Sequence, residues 1–171
     1  MKYLIRHAEK TDSSVHAKLS EQGKIDSLNY GKQLQKNNVN IEMIVTSPID
    51  RCVQTAEKII EGLNKDVTIV KAEELGDPGV YISDDIEAMN IFEKFNLIEI
   101  INMQLSMKNL NGFHDLNSAS QRLKYFMDRH EKHTIFISHD AVIIPYISWL
   151  ENVEKIYEAD LINYLFEYEI K

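Results

Sequence analysis

The chain has 171 residues, which suits one domain over residues 1–171 with a substantial hydrophobic core. Its net charge of −8 argues against general nucleic-acid binding, which needs a basic face, and 44% hydrophobic with 27% charged residues is typical of a globular protein. A single cysteine excludes an internal disulfide, and the sequence shows neither a signal pattern nor an apolar run of membrane length, so we expect a cytoplasmic protein without a membrane segment.

The first predicted strand ends directly in polar groups. Residues 3–5 form a short apolar run typical of a buried strand, and Arg6 and His7 follow it. After a polar loop, Ser20 is a good N-cap for a helix that we expect to end at residues 37–38. The carboxyl end of a strand is where an open α/β sheet usually binds its ligand.

A second strand, over about residues 42–46, also ends in polar residues. Ser47 is a predicted N-cap, Pro48 fits the first position of a helix, and Arg51 follows one turn later. Backbone N–H groups at such a helix N-terminus favour an anion. We expect this helix to end at Gly62.

The middle of the chain carries no comparable motif. Residues 67–70 predict a short strand, and the loop over residues 73–83 is expected to pass near the mouth of the pocket. Residues 84–108 predict two helices. Their apolar stripes, the first formed by Ile86, Met89, Phe92 and Phe95, are expected to pack in the core and cover one side of the cleft.

The third polar strand end lies near the C-terminus. A helix over about residues 118–130 precedes a strand at 135–137, which runs into Ser138, His139 and Asp140. A helix over residues 141–150 follows, and alternation over residues 162–170 predicts an edge strand. The pair His130 and His133 has a spacing that suits a metal, but no carboxylate or cysteine framework supports it, so we predict no metal site.

A parallel sheet would bring these three strand ends together as a cationic pocket. Arg6 and Arg51 offer planar forks of donors that suit phosphate oxygens. A neutral histidine is the expected nucleophile, because Cys52 lacks the arginine six residues later that a cysteine phosphatase loop needs. We assign this role to His7. His139 would then stabilise charge on the phosphoryl oxygens.

The motifs, taken in order, resemble the histidine phosphatase superfamily, which includes the phosphoglycerate mutases and the histidine acid phosphatases. They are Arg6-His7-Ala8-Glu9, Leu19-Ser20-Glu21-Gln22-Gly23, Ser47-Pro48-x-x-Arg51-x-x-Gln54-Thr55-Ala56 and Ser138-His139-Asp140. The resemblance implies a three-layer α/β/α sandwich with a mainly parallel central sheet, and a reaction without cofactor or metal. It also implies that His7 is phosphorylated, that Arg6, Arg51 and His139 hold the phosphoryl group, and that Ser47 lines the pocket.

Two positions depart from the pattern of the family. Ala8 stands where the family usually has glycine, and alanine is the smallest replacement. Lys10 stands where the acid phosphatase branch often has a second arginine. Lysine can still bind phosphate as a point charge, although it lacks the bidentate fork.

The proton donor has several candidates. The mutase branch uses a glutamate from the loop after the third strand, which here indicates Glu73 or Glu74, whereas the acid phosphatase branch uses the aspartate after the second histidine. We favour that aspartate, Asp140, because an adjacent motif residue fixes its position. Asp77 is another candidate, although Asp-Pro-Gly is also ordinary turn chemistry.

The sequence therefore predicts a metal-independent phosphatase that acts on a small phosphorylated substrate or a phosphoprotein. The short chain is more similar to the small phosphatases of the family, including bacterial phosphohistidine phosphatases, than to the mutases. The alternatives are a phosphoglycerate mutase-type phosphotransferase and a regulatory module that binds a phosphate ligand without turnover. No motif in this sequence indicates the substrate, the oligomeric state or the physiological role.

Overall fold

The computed structural model describes residues 1–14, 16–106 and 109–170. Its strands are β1 (Lys2–Arg6), β2 (Met43–Thr46), β3 (Thr68–Lys71), β4 (Thr134–Ser138) and β5 (Glu167–Glu169). They form one sheet in the order β3-β2-β4-β1-β5. The first four strands are parallel to one another, and β5 pairs antiparallel with β1 at the edge.

Helices connect the parallel strands. The α-helices are α1 (Glu21–Lys36), α2 (Asp50–Leu63), α3 (Asp85–Lys94), α4 (Leu97–Ser106), α5 (Leu116–Asp128) and α6 (Asp140–Leu150). Short 3₁₀ turns span Glu73–Leu75 and Glu158–Asp160. Within the described part of the chain, no helix has both the length and the apolar character needed to span a membrane.

Helices cover both faces of the sheet. Successive side chains of a strand point to opposite faces, and the apolar side chains on each face pack against a different pair of helices. In β1, Leu4 belongs to the cluster that includes Leu123 of α5 and Ile143 of α6, whereas Ile5 belongs to the cluster that includes Leu34 of α1 and Ile59 of α2. This three-layer α/β/α arrangement confirms the predicted fold class.

The helix after β2 differs from its prediction at both ends. It begins at Asp50 with Ile49 as the cap, and no side chain caps it, so the prediction that Ser47 is the N-cap was wrong. It also continues past Gly62 and ends where Asn64 adopts a left-handed conformation. A Cβ on Gly62 would lie 2.1 Å from the Leu28 carbonyl oxygen, so this glycine serves the close approach of α1 and α2.

The predicted core position of the first apolar stripe was wrong. Ile86 is 76% exposed and Met89 is 58% exposed, because α3 packs through Ala88 and Ile91 on its other face. The helices α3 and α4 correspond to the two predicted helical pieces, and residues 107–108 of that prediction lie outside the described residues. The stripe on α3 is therefore a surface feature.

The predicted C-terminal strand is much shorter than its alternation indicated. Pairing with β1 is limited to Glu167–Glu169, and Leu165 immediately before it has a positive φ of 56°. Residues 161–166 are not a strand, because a turn closed by the Phe166 N–H on the Asn163 carbonyl at 3.2 Å ends the pairing with β1 at Arg6. The Phe166 carbonyl accepts the Arg6 backbone N–H at 3.0 Å, and the Ile162 carbonyl accepts the Arg6 side chain.

The sheet register places three chain segments at one edge. Arg6 at the end of β1 pairs with Ser138 at the end of β4, and the His7 N–H donates to the Ser138 carbonyl at 3.0 Å. From β2, the Ser47 N–H donates to the Ile137 carbonyl at 3.0 Å. The residues that follow β1, β2 and β4 therefore share one rim of the sheet.

Candidate active site

Two histidines and an arginine lie in contact at this rim. The Arg51 Nε donates to His7 Nε2 at 3.1 Å, and the Arg51 Nη2 lies 3.1 Å from His139 Nδ1. The two imidazole rings have centroids 5.2 Å apart in an edge-to-face arrangement. With Ser47 these residues form what we call the histidine pocket, and all four side chains are buried.

The hydrogen bonds of His7 assign its tautomer. Its Nδ1 lies 2.7 Å from the Ala8 carbonyl oxygen, which can only accept, so Nδ1 carries the proton. The Nε2 atom accepts from Arg51 and therefore carries a lone pair. The reactive nitrogen of a neutral imidazole thus faces the cationic group of the pocket.

His139 is held in the complementary orientation. Its Nδ1 faces a guanidinium that can only donate, so Nε2 carries the proton and donates to the Ser47 Oγ at 3.0 Å. The Ser47 hydroxyl in turn donates to the Gly76 carbonyl at 3.4 Å. A Cβ on Gly76 would lie 2.7 Å from the His139 ring, so only glycine allows this loop to close over the imidazole.

Burial favours the neutral form of both imidazoles. It lowers the pKa of His7 from an ordinary 6.5 to about 4; the bond to the Ala8 carbonyl opposes the shift, and the Arg51 and Arg6 guanidiniums add to it. Burial is also the largest cause that lowers the pKa of His139 well below its ordinary value, followed by His7 and Arg51. At neutral pH, His7 is therefore neutral, with a lone pair on Nε2.

These lowered pKa values predict a loss of stability in weak acid. Between pH 6.5 and 4 the unfolded chain binds a proton at His7 that the folded chain does not, so the free energy of unfolding falls as pH falls through this window. We expect His7 to contribute about 3 kcal/mol to this loss by pH 4. Urea unfolding at several pH values between 7.5 and 4.5 measures it.

The control for this prediction is His7→Gln, which removes the titrating group and keeps a polar side chain. The slope of stability against pH should be shallower in His7→Gln than in the native chain over the same window. Identical slopes in the two proteins would contradict the assignment of the acid sensitivity to His7.

Arg6 lies beside the histidine pocket with partners on three sides. Its Nη2 lies 2.6 Å from Asp140 Oδ2, its Nη1 donates to the Ile162 carbonyl, and its guanidinium carbon lies 4.5 Å from the centroid of the Tyr164 ring. Its Nε is buried and has no hydrogen-bond partner among the described residues. This N–H is a donor that an anion at the pocket could satisfy.

The two departures from the family pattern fit the site. Ala8 is fully buried, and its N–H donates to Thr55 Oγ1 at 3.1 Å, so its methyl group packs without displacing the backbone. Lys10 is half-buried, and burial is the largest cause that lowers its pKa. The charge of Arg51 is the next largest cause, so Lys10 lies close to the other cations of the site. Lys10 therefore adds positive charge at the edge of the site.

The second motif supports the loop that carries His7. Ser20 caps α1 and its hydroxyl donates to Glu9 Oε2 at 2.5 Å, while its N–H donates to the Glu9 carbonyl at 3.0 Å. A Cβ on Gly23 would lie 2.2 Å from the Glu9 carbonyl oxygen. From the third motif, Gln54 accepts the Leu19 N–H at 2.9 Å. These residues fix the backbone after His7 without entering the pocket.

The structure separates the candidate proton donors. Asp140 begins α6 beside Arg6, next to the histidine pocket. Glu73 and Glu74 are exposed in the 3₁₀ turn after β3 and line a groove with Arg122 and Tyr125 that does not include the two histidines. Asp77 is also exposed, at a turn where its φ is 74°.

Sequence reasoning missed two residues of this region. Gly76 lies in the loop over residues 73–83 that was predicted near the mouth of the pocket, but its contact with His139 has no signal beyond the glycine itself. Tyr164 was assigned to an edge strand, but its ring contacts Arg6 and has its centroid 5.8 Å from that of His7. A tyrosine in a C-terminal alternation carries no sign of such a contact.

Comparison with known proteins agrees with this architecture. The family model described as histidine phosphatase superfamily (branch 1) matches residues 2–157. No curated protein matches the chain.

Solved structures with similar folds include three proteins of low sequence identity. YhfR of Bacillus stearothermophilus is 24% identical, with a TM-score of 0.59 over 88% of this chain and 79% of its own. A mycobacterial glucosyl-3-phosphoglycerate phosphatase is 13% identical, with a TM-score of 0.63 over 96% of this chain and 86% of its own. A putative phosphohistidine phosphatase, SixA of Agrobacterium tumefaciens, is 13% identical, with a TM-score of 0.56 over 90% of this chain and 77% of its own. These similarities show the fold.

Proposed function

This chain belongs to the histidine phosphatase superfamily, and we propose that it hydrolyses a phosphate monoester or a phosphohistidine through a phosphohistidine intermediate on His7. The observation that carries the proposal is the guanidinium of Arg51 between two neutral imidazoles, with the Nε2 lone pair of His7 directed at it. Structures of the same fold described as phosphatases, and one described as a protein histidine phosphatase complexed with tungstate, support this reaction class.

In the first step the Nε2 lone pair of His7 attacks phosphorus, and the bond from phosphorus to the leaving oxygen breaks. Arg51 donates to the phosphoryl oxygens as charge builds on them, and the unpaired Nε of Arg6 is a further donor. His139 would donate in its other tautomer, in which Nδ1, the nitrogen that faces Arg51, carries the proton. Lys10 adds its point charge. Each of these groups is cationic or a donor, so together they suit a phosphoryl dianion.

Asp140 is the proposed proton donor to the leaving oxygen. Arg6 Nη2, now paired with its carboxylate, would turn to a phosphoryl oxygen when substrate binds. The freed carboxylate would take up a proton from solvent and pass it to the leaving oxygen. In the second step water attacks phosphorus and gives its proton to Asp140, while the bond from phosphorus to Nε2 breaks. Phosphate leaves, and His7 returns to its neutral form.

The proposal is tested with an aryl phosphate in the presence of a chelator. Turnover that resists the chelator, together with phosphate on the protein that is stable in base and labile in acid after rapid quenching, is the expected result. Transfer of the phosphoryl group to a second phosphate ester, instead of water, would indicate a mutase. Vanadate binding without turnover on aryl or alkyl phosphates would overturn the hydrolase proposal and indicate a binding module.

Removing the carboxyl group of Asp140 is expected to lower kcat most for substrates with poor leaving groups. With an alkyl phosphate, Asp140→Asn should lower kcat by about 10²-fold, because an alkoxide needs a proton as it departs. With an aryl phosphate the loss should be much smaller, because a phenolate leaves more easily. The ratio of the two rates in steady-state kinetics measures the effect.

Two matched variants control for a general loss of carboxylate charge. Glu74→Gln and Asp77→Asn change exposed carboxylates outside the histidine pocket, and both should leave the alkyl-to-aryl ratio unchanged. A selective loss of alkyl phosphate turnover in Glu74→Gln, with a normal ratio in Asp140→Asn, would transfer the donor role to Glu74.

A further inference from the structure

Residues 162–166, which we call the C-terminal segment, hold Arg6 by its backbone and its side chain. The Phe166 carbonyl accepts the Arg6 backbone N–H, the Ile162 carbonyl accepts its Nη1, and the Tyr164 ring covers its guanidinium. The segment lies beyond residues 2–157, which the family model matches, whereas Arg6 lies within them.

The backbone of the segment is bent where it approaches the site. Leu165 has a φ of 56°, a conformation that costs a branched side chain free energy, and the Phe166 N–H closes the turn by donating to the Asn163 carbonyl at 3.2 Å. Such a conformation persists where the surroundings over-determine it. The turn carries Tyr164 to Arg6 and brings its ring centroid to 5.8 Å from that of His7.

The contact with Tyr164 leaves the Nε–H of Arg6 without a partner. The guanidinium carbon lies over the face of the Tyr164 ring, and the Nε–H is buried with no hydrogen-bond partner among the described residues. Tyr164 is itself 39% exposed, so its ring forms the outer wall of the site. A guanidinium that is already held in place loses less freedom when it binds an oxyanion.

We propose that Tyr164 is a positioning residue that holds the guanidinium of Arg6 in place to bind the phosphoryl group. The proposal rests on the proposed function in so far as Arg6 binds phosphate. Loss of the aromatic face should weaken oxyanion binding by about 2- to 30-fold, the range expected for a cation–π contact. The tyrosine hydroxyl has no part in this role.

The experiment compares Tyr164→Phe and Tyr164→Trp, which keep an aromatic face, with Tyr164→Leu and Tyr164→Met, which remove it. Vanadate affinity by calorimetry and kcat/KM for an aryl phosphate are measured for each. We expect the aromatic variants to stay within about twofold of the native chain, and the aliphatic variants to weaken both quantities by a similar factor. In an Arg6→Gln background, the change from tyrosine to leucine should have no further effect on vanadate affinity.

Tyr125→Leu is the matched control, because Tyr125 also covers an arginine, Arg129, at 5.1 Å but lies outside the histidine pocket. It should change neither quantity. Equal losses in Tyr164→Phe and Tyr164→Leu, or an undiminished loss in the Arg6→Gln background, would overturn the proposal. A changed aryl-to-alkyl ratio with native vanadate affinity would also overturn it, in favour of contact with the leaving group.

Vanadate affinity separates this inference from the proposed function. A native chain that binds vanadate without turnover would contradict the hydrolase proposal, while the coupling between Tyr164 and Arg6 would still be measured. A native chain that does not bind vanadate would overturn both.

Discussion

Replacing His7 with alanine is expected to lower kcat for an aryl phosphate by on the order of 10⁴-fold or more, because the variant lacks the lone pair that would accept the phosphoryl group. The Nε2 atom of His7 is neutral at working pH and is held toward the pocket by the Ala8 carbonyl on the other side of the ring. Steady-state kinetics measures the loss. Rapid quenching should detect no phosphate on His7→Ala.

The control for this prediction is His114→Ala, which removes an exposed imidazole and should retain native kinetics. Vanadate should still bind His7→Ala, because Arg51 and His139 remain. A variant that retains more than about a tenth of native turnover would show that His7 is not the nucleophile. A variant that loses vanadate binding and melts at a lower temperature would show a structural role instead.

The sequence allowed the main elements of the site to be predicted because strand ends have a strong local signature. Apolar runs that stop at Arg6-His7, Ser47 and His139 specify both a parallel sheet and the edge at which those residues lie, since parallel strands share a direction. The Ser20 cap of α1 was equally local, because the Ser20 hydroxyl accepts the N–H of Gly23, only three residues later.

The errors arose where distant contacts outweigh local preference. Serine is a common N-cap residue, but the Ser47 hydroxyl bonds to His139 and Gly76, and α2 begins later, at Asp50. The alternation around Tyr164 suggested a strand, but the backbone turns at Leu165 and brings Tyr164 and the Ile162 carbonyl to the side chain of Arg6. Ser47 is 29 positions from Gly76 and 92 from His139, and Arg6 is 156 positions from Ile162, so no local pattern encodes these contacts.

The exposed stripe on α3 shows the same limit for hydrophobic periodicity. A period near 3.6 identifies a helix but does not say which of two apolar faces is buried. In α3 the face with Ala88 and Ile91 is the one that packs, because it meets Phe113 and Ile100. The wider face with Ile86 and Met89 remains outside.

Arg51 is the second residue whose loss should have a large effect, because it contacts both imidazoles at once. Arg51→Ala should lower kcat/KM for an aryl phosphate by about 10³-fold, the upper end of the effect of removing one preorganised donor of a transition state. Arg51→Lys should recover only part of this, to a loss of about 10²-fold, because an ammonium cannot donate along two fixed directions. Steady-state kinetics with vanadate inhibition compares the two variants.

The pH profile distinguishes this electrostatic role from a structural one. Arg51 opposes protonation of His7, so in Arg51→Ala the pKa of His7 should rise, and the acidic limb of kcat/KM should move to higher pH. Burial remains the largest cause and continues to lower the pKa. Lys58→Ala, which changes an exposed cation on the same helix, should leave the rate and the profile unchanged. An unmoved acidic limb in Arg51→Ala would mean that the guanidinium does not set the charge state of the nucleophile.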